Sequence, residues 1–296
     1  MRTQRINFIG AGKVGKTFGR LFCRELPNKV TIQAVCNTSM DGARAAVDFI
    51  GSGVAFDDPE QCPAADINWI LTPDDAIASC LQQLLQGAAI APGSVVVHSS
   101  GCLSSRVLLP ARARGAVLLS VHPMKSFANP KHSVPTFAGT FCAFEGDALA
   151  RERIEPLLSA LGAVLLPIQS EHKAVYHAAG VFASNYVVTL LQQAVDCLQY
   201  AGIDPVSAKA VVTQLAHGTV ANVSLATKPL AALTGPVARG DQRTIECHLD
   251  ALAPLGLSGS YRCGVEDTQR ALQRHEVALG DEEMLSHAAQ IHQQEC

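Results

Sequence analysis

Residues 6–15 read Ile-Asn-Phe-Ile-Gly-Ala-Gly-Lys-Val-Gly, and this stretch constrains the chain more than any other. A short apolar strand runs directly into G-x-G-x-x-G, and a helical pattern, Val14–Leu26, comes next. That order is what a dinucleotide requires. Gly10 makes the tight turn, Gly12 lets the backbone reach a pyrophosphate, and Gly15 allows close helix–strand packing. Lys13 and Val14 open the helix, whose N-terminal N–H groups would receive the phosphates. Two alternatives share the glycine pattern: a turn that binds nothing, and the loop of an adenosyl-methionine methyltransferase.

Beyond that loop, short Val-, Ile- and Phe-rich runs alternate with helical stretches. Strands are predicted at Arg5–Ile9, Val30–Cys36, Asp66–Leu71, Ser94–His98, Val117–Val121, Thr140–Phe144 and Ala163–Leu166. Such alternation implies a parallel sheet covered by helices on both faces, an α/β Rossmann arrangement. After Pro167 the pattern becomes wholly helical. Glu171–Tyr200 reads as one long helix that bends near Gly180, and Asp204-Pro205 caps and starts the next. Further helices are expected at Pro205–Ala221, Gln242–Leu252, Glu266–His275 and Glu282–Gln294. The expected domains are therefore 1–167, binding the dinucleotide, and 168–296, an all-α domain for substrate and dimerisation.

Composition excludes several classes. The 296 residues carry a net charge of -3, without the clustered Lys and Arg of a nucleic-acid surface. Arg106, Arg112 and Arg114 read as a solvated face. The ten cysteines show no C-x-x-C spacing, so no zinc site or redox pair is expected, and no other metal site stands out. Cys23, Cys36, Cys142 and Cys197 read as small buried hydrophobes. Free thiols fit a reducing cytoplasm. No apolar stretch approaches the roughly 18–20 residues of a membrane span.

Several polar groups fall at strand ends, where open α/β sheets bind ligands. The second strand ends in Asn37-Thr38-Ser39. An acidic residue there would bind a ribose 2′-hydroxyl; Asn and hydroxyls tolerate a 2′-phosphate. This favours NADP, with NAD possible, and Arg44 could add charge. Asp41 is expected to cap the next helix. Thr72 and Pro73 should border the cofactor, and Asp74 or Asp75 should cap the helix after them. His98, Ser99 and Ser100 end another strand and are candidate cofactor-lining groups. His122, in His-Pro-Met-Lys-Ser-Phe, suits proton transfer, unless it only ties down a loop. Helical spacing places Lys173, His177, Ser184 and Asn185 along one face, a polar stripe that needs partners. Arg239, just before the helix that Asp241 caps, could grip a carboxylate with two hydrogen bonds or pair with Asp241.

Together G-A-G-K-V-G, L-T-P-D-D-A-I, H-S-S-G, H-P-M-K-S-F, Y-H-A-A-G-V-F-A-S-N and L-T-G-P-V-A-R-G-D-Q-R-T-I resemble a family. It is the Rossmann-like oxidoreductases whose C-terminal half is a domain of unknown function, relatives of pyrroline-5-carboxylate reductase, deazaflavin-dependent NADP reductase and ketopantoate reductase. The resemblance implies a 6-phosphogluconate-dehydrogenase-like helical domain, a homodimer, and a small carboxylate-bearing keto acid or imine as substrate. On the residues themselves, His122 and His177 are the candidate proton donors, Ser184 and Asn185 the orienting groups, and Arg239 the carboxylate grip. Related hydroxyacid dehydrogenases use a Lys and an Asn one helical turn apart. Lys173 and Asn185 are twelve residues apart, so His177 with Asn185 is the nearer substitute. A non-catalytic NADP(H)-binding sensor is the alternative reading.

Overall fold

A computed structural model describes residues 3–274. Two compact units emerge, one from Met1 to Ser184 and one beginning at Asn185. The first is built on an eight-stranded sheet. Its strands are β1 (Gln4–Ile9), β2 (Val30–Cys36), β3 (Val54–Phe56), β4 (Ala65–Ile70), β5 (Ile90–His98), β6 (Val117–Pro123), β7 (Phe141–Gly146) and β8 (Val164–Pro167). Their spatial order is β3-β2-β1-β4-β5-β6-β7-β8. All neighbours are parallel except β6 and β7, which run antiparallel. That pair departs from the wholly parallel sheet expected. The three-residue β3 also escapes the sequence reading, being too short to show a period.

The helices of this unit are α1 (Lys13–Glu25), α2 (Met40–Ile50), α3 (Ile77–Gln86), α4 (Pro130–Ser133), α5 (Ala148–Ala160) and α6 (Lys173–Gly180). Phe8, Phe18, Phe22, Trp69 and Phe137, all fully buried, form the centre of the core between α1 and the sheet. Phe18 stacks on Trp69 at 4.9 Å between ring centroids and meets the edge of Phe137 at 5.3 Å. Burying such rings is worth roughly 2–3 kcal/mol each. A Cβ on Gly19 would meet Ile50 at 2.6 Å, so the glycine sets how closely α1 approaches α2.

The second unit contains α7 (Tyr186–Tyr200), α8 (Pro205–Leu225) and α9 (Gln242–Leu252), and residues 258–274 are also helical. Asp204 caps α8 through Val206 N and Ser207 N, at 3.0 and 3.1 Å. Asp241 caps α9 through Thr244 N at 3.1 Å. The helix expected at Glu282–Gln294 lies outside the described residues.

The long-helix expectation needs two corrections. Residues Val181–Asn185 form a π-helical turn directly after Gly180. And Ser170–Tyr200 is, by length and composition, apolar enough to cross a membrane, with mean hydropathy 1.3. The small and aromatic residues that make it apolar are broken by few charges, and a reading by runs of uninterrupted apolar residues overlooks it. Its opening part is nonetheless tied to the sheet unit, since Lys173 is 1% exposed there.

Candidate active site

The strand order reverses between β1 and β4, which opens a crevice at the carboxyl ends of the strands. A groove of about 530 Å³ occupies it. Gly10 and Gly12 after β1, Asn37 and Thr38 after β2, Asp57 after β3, and Thr72 and Pro73 after β4 line its walls.

The glycines behave as a phosphate cradle should. Gly10 sits at φ +85°, and a Cβ there would meet Thr72 at 2.7 Å. A Cβ on Gly15 would meet Leu71 at 3.2 Å. A Cβ on Gly12 would meet nothing nearer than Gly10 O at 4.0 Å, so it would project only into the groove. Gly12 is also the N-cap of α1, which has no side-chain cap, and Lys13 and Val14 stand in its first turn. The helix therefore offers uncapped N–H groups and its positive end to whatever occupies the groove. A pyrophosphate fits this arrangement.

At the end of β2, Asn37 Nδ2 donates to Gly42 O at 2.9 Å, which turns the loop into α2. Ser39 caps α2 through Gly42 N at 3.2 Å. Asp41, expected as the cap, lies inside the helix and exposed. Thr38 and Ser39 are exposed, as is Arg44. Asp57 is the one carboxylate among the groove-lining residues.

Farther along the same sheet edge, β4, β5 and β6 end in a polar cluster. Asp74 was expected to cap a helix; instead its Oδ2 accepts from Ser100 Oγ at 2.8 Å. The adjoining helix α3 begins without a side-chain cap. Ser100 Oγ also accepts from Cys102 N and Leu103 N, at 3.1 and 2.8 Å. Ser99 Oγ accepts from the Trp69 indole at 2.9 Å. His98 is fully buried, and its Nδ1 accepts from Ser100 N at 3.1 Å. Burial, and then Lys173, lower its pKa to about 4. These three residues thus hold the loop together, and the His98 ring is closed to a ligand, which corrects its assignment to the cofactor.

His122 is half-buried near the end of β6. Its Nδ1 lies 3.1 Å from the Tyr176 hydroxyl, and the ring meets the His177 ring edge-on at 5.6 Å. Gly101 abuts both histidines; a Cβ there would lie 2.9 Å from His122 Nε2 and closer still to His177. Burial first, then His177 and Lys173, lower the His122 pKa to about 4. Burial raises Tyr176 to about 12. At neutral pH both groups are uncharged. The Tyr176 hydroxyl lies 3.1 Å from Nδ1 and 3.3 Å from the His122 carbonyl, so it ties the ring and the strand end together.

Beneath this pair lies Lys173, whose Nζ donates to Ser100 O at 3.0 Å and Ser120 Oγ at 2.5 Å. Glu145 is buried nearby and accepts from Ser105 N, Ser105 Oγ and Ser170 Oγ, at 2.6, 2.7 and 2.7 Å. Among the described residues no His, Cys, Asp and Glu group suits a metal ion.

The structure brings together His122 and His177 but separates the rest of the expected stripe. Lys173 is buried, whereas Ser184 and Asn185 are exposed in the π turn. That turn inserts a residue and rotates the rest of the helix by about 100°, so an α-helical wheel misplaces both. Arg239 is exposed in the second unit. Hydrogen bonds from Thr244, and then Arg239, hold Asp241 below the usual carboxylate range. Arg106 and Arg112 are exposed and paired with Glu171 and Asp147. Tyr176, Ser120 and Glu145 were missed. Tyr176 directly precedes His177 in a quoted motif, and its value shows only once β6 lies beside α6.

Residues 1–123 match the family model of a Rossmann-like domain, and residues 140–268 match that of a domain of unknown function, DUF2520. The chain thus combines a Rossmann-like domain with a DUF2520 domain. Among solved structures it is similar to a candidate NADP oxidoreductase from Bacteroides fragilis, at 21% identity and TM-score 0.74, over 90% of this chain and 98% of that one. A Thermotoga maritima protein shares 25% identity, TM-score 0.67, over 92% and 99%. An imine reductase from Myxococcus stipitatus, in complex with NADP+, shares 17% identity, TM-score 0.65, over 91% and 94%. No curated protein matches the chain in sequence.

Proposed function

We propose that this protein is a soluble, cytoplasmic reductase that uses NADPH to reduce a small carboxylate-bearing keto acid or imine. One observation carries the reading: a glycine cradle at an uncapped helix N-terminus shares a sheet edge with a half-buried His–Tyr pair. The cofactor would supply hydride. The chain's own part is to bind, orient and protonate.

Gly10, Gly12 and the first turn of α1 would hold the pyrophosphate, and Thr72 and Pro73 would border the groove. Asn37, Thr38 and Ser39 leave room for a 2′-phosphate, to which Arg44 adds charge. His122 would donate a proton to the substrate heteroatom and regain it from solvent, and Tyr176, hydrogen-bonded at Nδ1, would orient the ring. His177, beside the same edge, would orient the acceptor. Ser184 and Asn185 are retained as candidate orienting groups and Arg239 as the carboxylate grip. The NADP-containing relative supports the cofactor class at the level of fold.

A homodimer belongs to the same reading. On α8, Val206, Leu215, Val220 and Leu225 are 61–87% exposed. These side chains are spread around α8, and soluble monomers rarely leave so many large apolar groups of one helix in water.

Titration of the purified protein with NADPH and NADH, then a keto-acid and imine screen, tests the proposal. Tight binding of NADPH with turnover on such a substrate supports it. Binding without turnover on any of them leaves the sensor reading instead. Binding of neither nucleotide removes the proposal.

A further inference from the structure

Lys173 is buried to 1% exposure, yet the acceptors that its ammonium reaches are a carbonyl and a hydroxyl. Among the described residues no carboxylate forms an ion pair with it. Glu145, Asp74 and Cys102 favour its charge from farther away, against a larger effect of burial, which lowers its pKa. Holding an ammonium in such a place costs solvation, and an apolar side chain would fill the space without that cost.

Its position explains what the charge does. Ser120 and His122 point to the same face of β6, one two-residue step apart, about 7 Å. Lys173 precedes Tyr176 and His177 by one turn of α6. The helix step, about 4.5–6 Å, is close enough to the strand step for the two rows of side chains to meet. Lys173 therefore engages Ser120 while Tyr176 and His177 engage His122. The same ammonium also holds the carbonyl of Ser100, whose neighbour Gly101 abuts the His122 ring.

We propose that Lys173 is a positioning residue for this site: its buried ammonium clasps the loop after β5 to the middle of β6 and sets a positive charge beside the His122 imidazole. The groups that face His122 are Lys173 and His177, which oppose its protonation, Asp74, which favours it, and Tyr176, which holds Nδ1. His98 lies in the same field, with Lys173 opposing and Glu145 and Asp74 favouring its charge. The inference rests on the reading of His122 as proton donor, but its test needs no turnover.

The experiment is an NMR titration of the full chain with labelled histidine and lysine, the His122 signal being assigned by its loss in H122N. Wild type is compared with K173Q, K173M and S120A. In both lysine variants the His122 midpoint should rise from about 4, by on the order of one pH unit, since removing a nearby buried unit charge has an effect of that order. In S120A, which keeps the charge, it should stay at the wild-type value. An unchanged midpoint in either folded lysine variant overturns the proposal. So does an equal rise in S120A, which would mean loosened packing and not charge. If the lysine variants do not fold, wild type still decides. The His122 ring signals should move as the Lys173 Cε signal titrates in alkali, and a Lys173 titration that leaves His122 unmoved overturns the field. If instead no NADPH-dependent activity exists, the proposed function fails while this titration stands.

Discussion

Acid should destabilise the sheet unit through His98, and the size of the effect is set by its burial. The imidazole is fully buried, its Nδ1 is committed to Ser100 N, and its pKa falls from 6.5 to about 4. In the unfolded chain His98 takes up a proton near pH 6.5; in the folded chain it does so only near pH 4. The unfolded state therefore binds more protons between these values, and stability rises with pH across that window. The contribution is fully present above about pH 6.5 and is lost as pH falls toward 4. Each pH unit in between costs about 1.4 kcal/mol per histidine, about 3 kcal/mol over the window. His122 behaves alike, with a folded value also near 4. His98→Gln keeps an acceptor for Ser100 N but cannot titrate, so it should remove about half of the combined slope. Trp69 is the chain's sole tryptophan, fully buried beside Ser99, and its fluorescence reports this unit alone. Asp204 and Asp241, whose carboxyls are also shifted, belong to the second unit. Urea unfolding monitored by Trp69 at pH 7, 6, 5 and 4.5 would give the two slopes. Parallel slopes for wild type and His98→Gln would refute the argument.

Gly12→Ala should weaken NADPH binding by at least about tenfold while leaving thermal stability unchanged, because the added methyl meets only the groove; calorimetry and a melting curve check both halves. Tyr176→Phe and His122→Asn should each lower kcat by about 10²-fold with cofactor affinity preserved, and His177→Ala by a similar factor if it serves as donor; variants within threefold of wild type would exclude these roles. Arg239→Ala should raise KM and spare cofactor binding if the guanidinium grips a carboxylate, measured by steady-state kinetics. Leu215→Glu, at a residue 71% exposed on α8, should shift the protein toward monomer in light scattering if that helix joins two copies.

How much of this was legible in the chain depended on whether the determining contacts were local. The glycine loop, β2 and the caps of α8 and α9 could be read directly, because turn geometry and capping are decided within a few residues. The π turn at Val181–Asn185 could not be read, since one inserted residue leaves no compositional mark but rotates Ser184 and Asn185 off the expected face. Asp41 and Asp74 were misassigned for a related reason. A carboxylate at a helix start predicts a cap, but Ser39 was already in place, and Asp74 found a better donor in Ser100, twenty-six residues away.

The sequence alone therefore determined an α/β unit with a dinucleotide cradle and then a helical region, because period, glycine and proline are local signals. Only the tertiary structure decided which polar residues meet. His98 became a buried loop anchor, while Tyr176 and Lys173 joined His122 through α6 packed along β6. Hydrogen bonds between residues more than fifty positions apart cannot be written in local pattern; they arise when two elements of matching repeat are laid side by side.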